Sequence, residues 1–383
     1  MTIYIGPARN KEEMIAARDL AVKTFSPLTP NKTRDQITEF KDFLWNENGS
    51  LKLENIIVVA SEDRVVGTVR LVFRNLYFGI DSYYCAGVSS VCIAEEYRGK
   101  KLSLSLMEAT LEQAKLLGCE VVLLFARRAL DHYYPKFGIW GLSSYNNIRV
   151  SMSSVTTAKR QTVTLKDVES SNLHAIQQWH ALSYGNCFGY IERSYDYWQF
   201  LIEKFKCQSI AIKAICDDGN IIGYAVISDE LIMELAFEPK ENYDVMSIIG
   251  LLAGQKGFLD MQLPEKHPIV GELTSLDITV SHRECEYGGH MLGILNEKKV
   301  YRKFEDKLKR NAIKLGLKPL KERVDGLCWE WDGHDVTVQL TEPQKKLGVE
   351  TTARLLGARL VSRYQNSYLA PCESVNFSSP DHF

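Results

Sequence analysis

Two apolar periodicities alternate along this chain from its first residues. Thr2 to Ile5 reads as a strand. Asn10, with Glu13 three residues on, heads a helix in a capping-box arrangement, and Met14, Ala17 and Ala21 share one of its faces. Ile56 to Ala60 and Val65 to Phe73 are β-branched runs joined by the turn Ser61-Glu62-Asp63, which predicts an antiparallel hairpin. Tyr83 to Ile93 is a third strand. A helix follows with Leu104, Met107, Leu111 and Ala114 at spacings of three and four. Gly118 is placed to end it, and Cys119 to Phe125 makes the next strand. A short helix near Leu130 to Phe137 and a strand near Asn147 to Met152 are expected to close this first unit.

A polar, helix-poor stretch, Ser153 to Gln161, then separates this unit from a similar order of elements. Val163 to Leu165 precedes a helix around Asn172 to Leu182. Ile210 to Cys216 and Ile221 to Ile227 flank the turn Asp217-Asp218-Gly219-Asn220 and form a second hairpin, and Leu231 to Phe237 leads towards a helix near Val245 to Ala253. Between that strand and helix lies Glu238-Pro239-Lys240-Glu241-Asn242-Tyr243-Asp244, acidic and without glycine, so phosphate would be poorly held there. The last ninety or so residues predict a charged helix from Glu297 to Leu315, strands at Gly326 to Trp331 and Val336 to Leu340, and a helix near Thr351 to Leu356. The expected class is α+β, with units at 1–155, 161–288 and 289–383.

Composition narrows the function classes. At 383 residues the chain is long for one core, and about 150 residues per domain suggests two or three domains. A formal net charge of −2 supplies no global basic field for nucleic acid. No apolar run reaches the ~18 residues of a membrane span, and the first residues lack a secretory pattern, so a cytoplasmic protein is expected. Nine cysteines without CxxC spacing read as reduced, mostly buried thiols. His282, Cys285 and His290 cluster in sequence, but no fourth zinc ligand stands nearby, so a polar loop rather than a metal site is expected.

The candidate chemistry lies where the third strand meets the helix: Val91-Cys92-Ile93-Ala94-Glu95-Glu96-Tyr97-Arg98-Gly99-Lys100-Lys101-Leu102-Ser103. A strand running through a basic, glycine-containing turn into a helix start suits an anionic pyrophosphate, because the first-turn amides point outward. About thirty residues on, Tyr133-Tyr134-Pro135-Lys136-Phe137-Gly138-Ile139 offers a phenol as proton donor. Together these stretches resemble the GNAT acyltransferases. That family's loop is Arg/Gln-x-x-Gly-x-Gly/Ala; Arg98, Gly99, Lys100 and Leu102 fit it, while Lys101 and Ser103 replace the two small residues. Its Tyr-x-x-x-Gly-Phe element is met by Tyr134 and Gly138, with Ile139 in the aromatic place. Arg193-Ser194-Tyr195-Asp196-Tyr197-Trp198 and the ending Ser379-Pro380-Asp381-His382-Phe383 resemble the Eis-type members, which join two GNAT-like domains to a small domain resembling sterol carrier protein.

The resemblance implies tandem GNAT-like domains with mainly antiparallel sheets, the second degenerate, and a small α+β C-terminal domain. It implies acetyl-CoA as cosubstrate and no metal. Backbone groups of Val91, Cys92 and Ile93 would take the pantetheine arm and polarise the carbonyl, and the loop of Arg98, Gly99, Lys100, Lys101, Leu102 and Ser103 would take the pyrophosphate. Tyr134 would protonate the departing thiolate. The base would be the carboxylate of Phe383, with Glu95 as a rival. The expected activity is N-acetylation of a primary amine on a small, aminoglycoside-like or polyamine-like molecule by a homo-oligomer, hexameric by resemblance. Transfer of a longer acyl or an aminoacyl group, and an inert acyl-CoA sensor, are the alternatives.

Overall fold

The computed structural model describes residues 2–28, 32–47, 51–127, 130, 132–141, 144–151, 163–185, 187, 189–229, 231–237, 245–254, 257–263, 267–273, 278–284, 289–342 and 344–356. In chain order the first half runs β1 (Ile3–Pro7), α1 (Lys11–Phe25), α2 (Arg34–Trp45), β2 (Ile56–Ser61), β3 (Arg64–Phe78), β4 (Asp81–Ile93), α3 (Leu102–Leu116), β5 (Val121–Ala126), β6 (Ile139–Gly141) and β7 (Ser144–Ser151). The second half runs β8 (Val163–Asp167), α4 (Leu173–Tyr184), β9 (Tyr190–Ile191), α5 (Tyr195–Cys207), β10 (Ile210–Asp217), β11 (Asn220–Ser228), β12 (Leu231–Phe237), α6 (Val245–Ala253), β13 (Phe258–Leu263), α7 (Pro268–Leu273) and β14 (Ile278–Glu284). β15 (Gly289–Ile294), α8 (Glu297–Lys314), β16 (Leu320–Val324), β17 (Leu327–Trp331), β18 (Val336–Leu340) and α9 (Lys345–Leu356) follow. The fold is α+β.

Two large sheets share one strand scheme. The first is ordered β1-β2-β3-β4-β5-β15-β6 and the second β8-β10-β11-β12-β13-β7-β14. In each, the pair at the centre is parallel, β4 with β5 and β12 with β13, and the other neighbours along the order are antiparallel. Each sheet also takes one strand from outside its own run of sequence. β7 inserts between β13 and β14, with Ile148 opposite both Met261 and Val280, and β15 inserts between β5 and β6, with Leu292 opposite both Leu123 and Trp140. The strand expected to close the first unit therefore belongs to the second sheet, and β15, which the division at residue 289 assigns to the last unit, completes the first. Strands pair with whatever edge presents matching hydrogen-bonding groups, and sequence nearness does not select that edge.

Helices cover the first sheet unevenly. α3 packs on one face, where Leu106, Met107 and Ala114 meet Val69, Leu71, Val122 and Leu124. Its buried stripe runs through Leu102, Leu106, Met107, Thr110 and Ala114, so the face is rotated from the expected one and Leu104 and Leu111 are half-buried. α1 and α2 cover part of the opposite face, with Ala17, Ala21 and Trp45 on Ile56, Val58 and Cys92. The Asn10 side chain caps α1 by accepting from Glu13 N–H, but the Glu13 carboxylate accepts from the Arg9 N–H and not from Asn10. The rest of this face joins a common core in which Leu76, Phe78 and Leu123 of the first sheet meet Trp198 of α5, Tyr224 of the second sheet and Phe304 of α8. Arg193, which the Eis-type resemblance singled out, is buried there, in a bidentate pair with Glu234 of β12 at 2.9 and 2.8 Å and stacked on Trp198 at 4.6 Å. That part of the motif holds the core of the second half.

Candidate active site

β4 and β5 run side by side from Cys85↔Val121 to Val88↔Leu124 and then part. β4 continues to Ile93 along β3 alone, while β5 continues to Ala126 along β15. At the parting point β4 carries an extra residue. Thr68 opposes Cys92 and Arg70 opposes Ser89, so Ser90 and Val91 together face Val69, and Ser90 is left-handed at φ 57°. Ala94 N–H donates to Val66 O at 2.8 Å. Along an extended chain successive residues turn their N–H and C=O groups to opposite sides. Cys92 therefore faces β3, and Val91 and Ile93 direct their amides into the opening that β5 has left. Of the three strand residues expected to line the cofactor, these two present backbone there. The Cys92 side chain lies on the opposite face among the α1 residues, and burial pushes its thiol up to about 11.

The loop after β4 carries three cations into a helix start. A single helical turn, Glu95–Tyr97, ends at Arg98, and Gly99 follows at φ 79°. Lys101 is the N-cap of α3 at φ 60°, ψ 10°, with no side-chain cap bond. Lys101 thus holds the left-handed conformation that glycine adopts without strain, and the first amides of α3 are left uncapped by any side chain, the arrangement that attracts phosphate. Arg98, Gly99, Lys100 and Lys101 are exposed, Leu102 is buried in the core under α3, and Ser103 is half-buried. Lys100 rests its ammonium on the Tyr97 ring at 4.4 Å. On the α1 side of the same loop a cleft of about 590 Å³ is lined by Lys23, Arg64 and Arg98 together with Asp19, Asp63 and Glu95.

Tyr134 begins the 3-10 turn Tyr134–Phe137, with Pro135 as its second residue and Gly138 ending it at φ 74°. Its ring is 5% exposed and belongs to the same cluster as Leu106 and Met107 of α3. Burial, with Tyr133 beside it, pushes its hydroxyl up to about 12, so it holds its proton throughout the neutral range. Tyr133 stacks edge-on against it at 5.0 Å and donates its own hydroxyl to Ser103 O at 2.8 Å. The structure thus ties together three of the predicted elements: the strand end, the loop and the tyrosine turn. Phe383 and Cys285 lie outside the described residues. His282 is in β14 of the second sheet and His290 in β15 of the first, where His290 packs on Phe125 at 5.3 Å. Among the described residues no group of three His, Cys, Asp or Glu side chains could hold a metal ion.

Sequence reasoning passed over α2, although Thr33 and Gln36 form a complete capping box at its start. That signal was available. It also passed over Arg70 and Arg74 on β3, whose side chains are only 7% and 13% exposed. An arginine in a β-branched run reads as an outward-facing residue until its layer is known.

Residues 10–143 match the family model described as an acetyltransferase (GNAT) domain. The whole chain aligns with a GCN5-related N-acetyltransferase from Anabaena variabilis at 16% identity and TM-score 0.67, covering all of both chains. A probable N-acyltransferase from Enterococcus faecalis aligns at 15% identity and TM-score 0.64, over 89% of this chain and 86% of that one. Eis1 from Mycobacterium abscessus aligns at 12% identity and TM-score 0.60, covering all of both chains. At these identities the likeness is one of fold. No curated protein matches the sequence. The split between β4 and β5 and the uncapped helix start after Arg98 both fall within the span that matches the acetyltransferase (GNAT) domain model, and together they support an acyltransferase enzyme.

Proposed function

We propose that the protein transfers an acetyl group from acetyl-CoA to a primary amine of a small molecule. The observation that carries this reading is the opening between β4 and β5, into which Val91 and Ile93 present their amides beside the loop from Arg98 to Ser103. A pantetheine arm laid along β4 extends the sheet where β5 has left it. Its pyrophosphate then meets the uncapped amides of α3 and the cations of Arg98, Lys100 and Lys101. The thioester carbonyl lies against the bulge at Ser90 and Val91, where an outward amide stabilises the developing oxyanion. An amine entering as the free base attacks the carbonyl carbon. The C–N bond forms, the C–S bond breaks, Tyr134 gives its proton to the thiolate sulfur, and the proton shed by the attacking nitrogen passes through water to restore the Tyr134 phenol.

The shared strand scheme supports a tandem arrangement of two GNAT-like halves with exchanged strands, followed by a small α+β unit of α8, β16–β18 and α9. Only the first half carries the basic, glycine-containing loop, so one cofactor per chain is expected. Calorimetric titration with acetyl-CoA, followed by thiol release with a panel of amines, tests the reading. Two equivalent sites, or acetyl-CoA binding without acylation of any amine, would count against it.

A further inference from the structure

A cavity of about 170 Å³ lies between the end of α2 and β3, lined by Trp45, Glu47, Asn55, Arg70 and Arg74 among others. β2 pairs with β3 as far as Arg70, and β9 takes up the same edge again at Leu76, so the cavity sits in the gap between them. Val69 and Leu71 point into the core under α3, and Arg70, between them, stands on the opposite face, the one covered by α1 and α2. Arg70 is also the register partner of Ser89, the residue before the bulge. The Arg70 backbone therefore stands about 5 Å across the sheet from that of Ser89, and its side chain rises from the strand next to the proposed site.

The chemistry of this cavity is that of a donor-rich pocket. Arg70 is 6% exposed, and its Nε–H finds no acceptor among the described residues; nor does the indole N–H of Trp45, itself 3% exposed. Arg70 reaches Glu47 only at 3.5 Å, whereas Glu47 pairs closely with Arg74. Arg74 is further engaged, stacking on Tyr197 at 4.2 Å and donating to Phe73 O at 2.8 Å. Lys41 adds a third cation nearby; burial, and then Arg70, push its ammonium down. Two buried donors, one of them a guanidinium, thus stand beside a cavity whose described carboxylate is already taken. Burying such donors without an acceptor is costly, and a planar oxyanion is the group that a guanidinium in the wall of this cavity would take. The volume admits a group of several heavy atoms; a polyamine would meet the wrong charge.

We infer that the acceptor is an amine that also carries a carboxylate, an amino acid or a close analogue, with the carboxylate held by Arg70, the Trp45 ring in the wall beside it and the amine at the bulge. This rests on the acyl-transfer reading above. It also points away from the aminoglycoside-like or polyamine-like acceptor that the family resemblance implied.

The test compares turnover of amino acids with that of their carboxamides and decarboxylated amines, in the wild type, Arg70→Gln, Arg70→Lys and Trp45→Phe, with acetyl-CoA affinity measured alongside. Removing the carboxylate should lower kcat/KM by about tenfold or more, mainly through KM, as expected for loss of a charged hydrogen bond. Arg70→Gln should erase that discrimination, Arg70→Lys should restore part of it, and acetyl-CoA affinity should not move. Decarboxylated amines used as well as amino acids would overturn the inference, as would discrimination that survives in folded Arg70→Gln. If Arg70→Gln fails to fold, undiminished discrimination in Trp45→Phe overturns it and a several-fold loss supports it. Calorimetry separates the two readings. If no amine is acylated yet amino acids bind and their carboxamides do not, the subsite stands and the acyl-transfer reading falls. Acetate binding as tightly as the amino acids would mean a free-anion site and overturn the inference.

Discussion

Tyr133 donates its hydroxyl to the backbone oxygen of Ser103 at 2.8 Å, pinning the turn after β5 to the first turn of α3. Adjacent residues consequently do different work, Tyr133 as a tether and Tyr134 as the proton donor of the proposed reaction. Tyr134→Phe should leave acetyl-CoA affinity unchanged and lower kcat by about 10²–10⁴. Tyr133→Phe should cost about 1 kcal/mol of stability, the worth of one hydrogen bond, with a smaller loss of turnover. Steady-state kinetics and urea unfolding of both variants check this. A crippled Tyr133→Phe beside a silent Tyr134→Phe would reverse the assignment.

Backbone strain at the loop yields opposite effects at two nearby positions. Gly99 is at φ 79°, and a Cβ added there would meet nothing within 4 Å, so Gly99→Ala isolates the conformational cost. A loss of about 1–2 kcal/mol is expected. Lys101 already bears a comparable strain at φ 60°. Lys101→Gly should relieve it and, after the added freedom of the unfolded chain is discounted, leave stability unchanged or raised by up to about 1 kcal/mol. Denaturation midpoints of the two variants decide the matter.

Charge reversal at the loop should separate cofactor binding from folding. Arg98 is exposed and its residue is the C-cap of the turn before α3, so Arg98→Glu should leave the unfolding temperature nearly unchanged. Acetyl-CoA affinity should drop by about tenfold or more, because a carboxylate then opposes the pyrophosphate. Affinity that is unaffected in calorimetry would move the pyrophosphate away from this loop.

His267 gives the fold an acid limit. It is buried, its Nδ1 accepts from Ile269 N–H at 3.2 Å, and Nε2–H donates to Leu235 O at 2.7 Å, so the neutral ring is the one that fits. Burial pushes it down from 6.5 to about 4. A group held below its unfolded value stabilises the fold fully above that unfolded value and loses its contribution as pH falls through the folded one. Stability should therefore decline between pH 6.5 and 4, by up to about 3 kcal/mol from this residue. Urea unfolding across that range should show a shallower decline in His267→Gln than in the wild type.

Local pattern made much of the molecule legible. The hairpins at Ser61-Glu62-Asp63 and Asp217-Asp218-Gly219-Asn220, the helix from Val245 to Ala253, and the strand, loop and tyrosine turn of the candidate site all stand where the residues indicated. Turn chemistry, periodicity and glycine placement act within a few residues, so a linear reading captures them. The tertiary structure alone decided the exchange of β7 and β15 between the sheets, the bulge at Ser90 and Val91, and the burial of Arg70 beside Trp45. Strand pairing depends on which edges remain free once the core has formed. A β3 arginine becomes an interior residue only because α2 closes over that face of the sheet. The sequence specifies the proposed cofactor loop by its own local chemistry, whereas the proposed acceptor side needs α2 brought by packing onto the hairpin of β3 and β4.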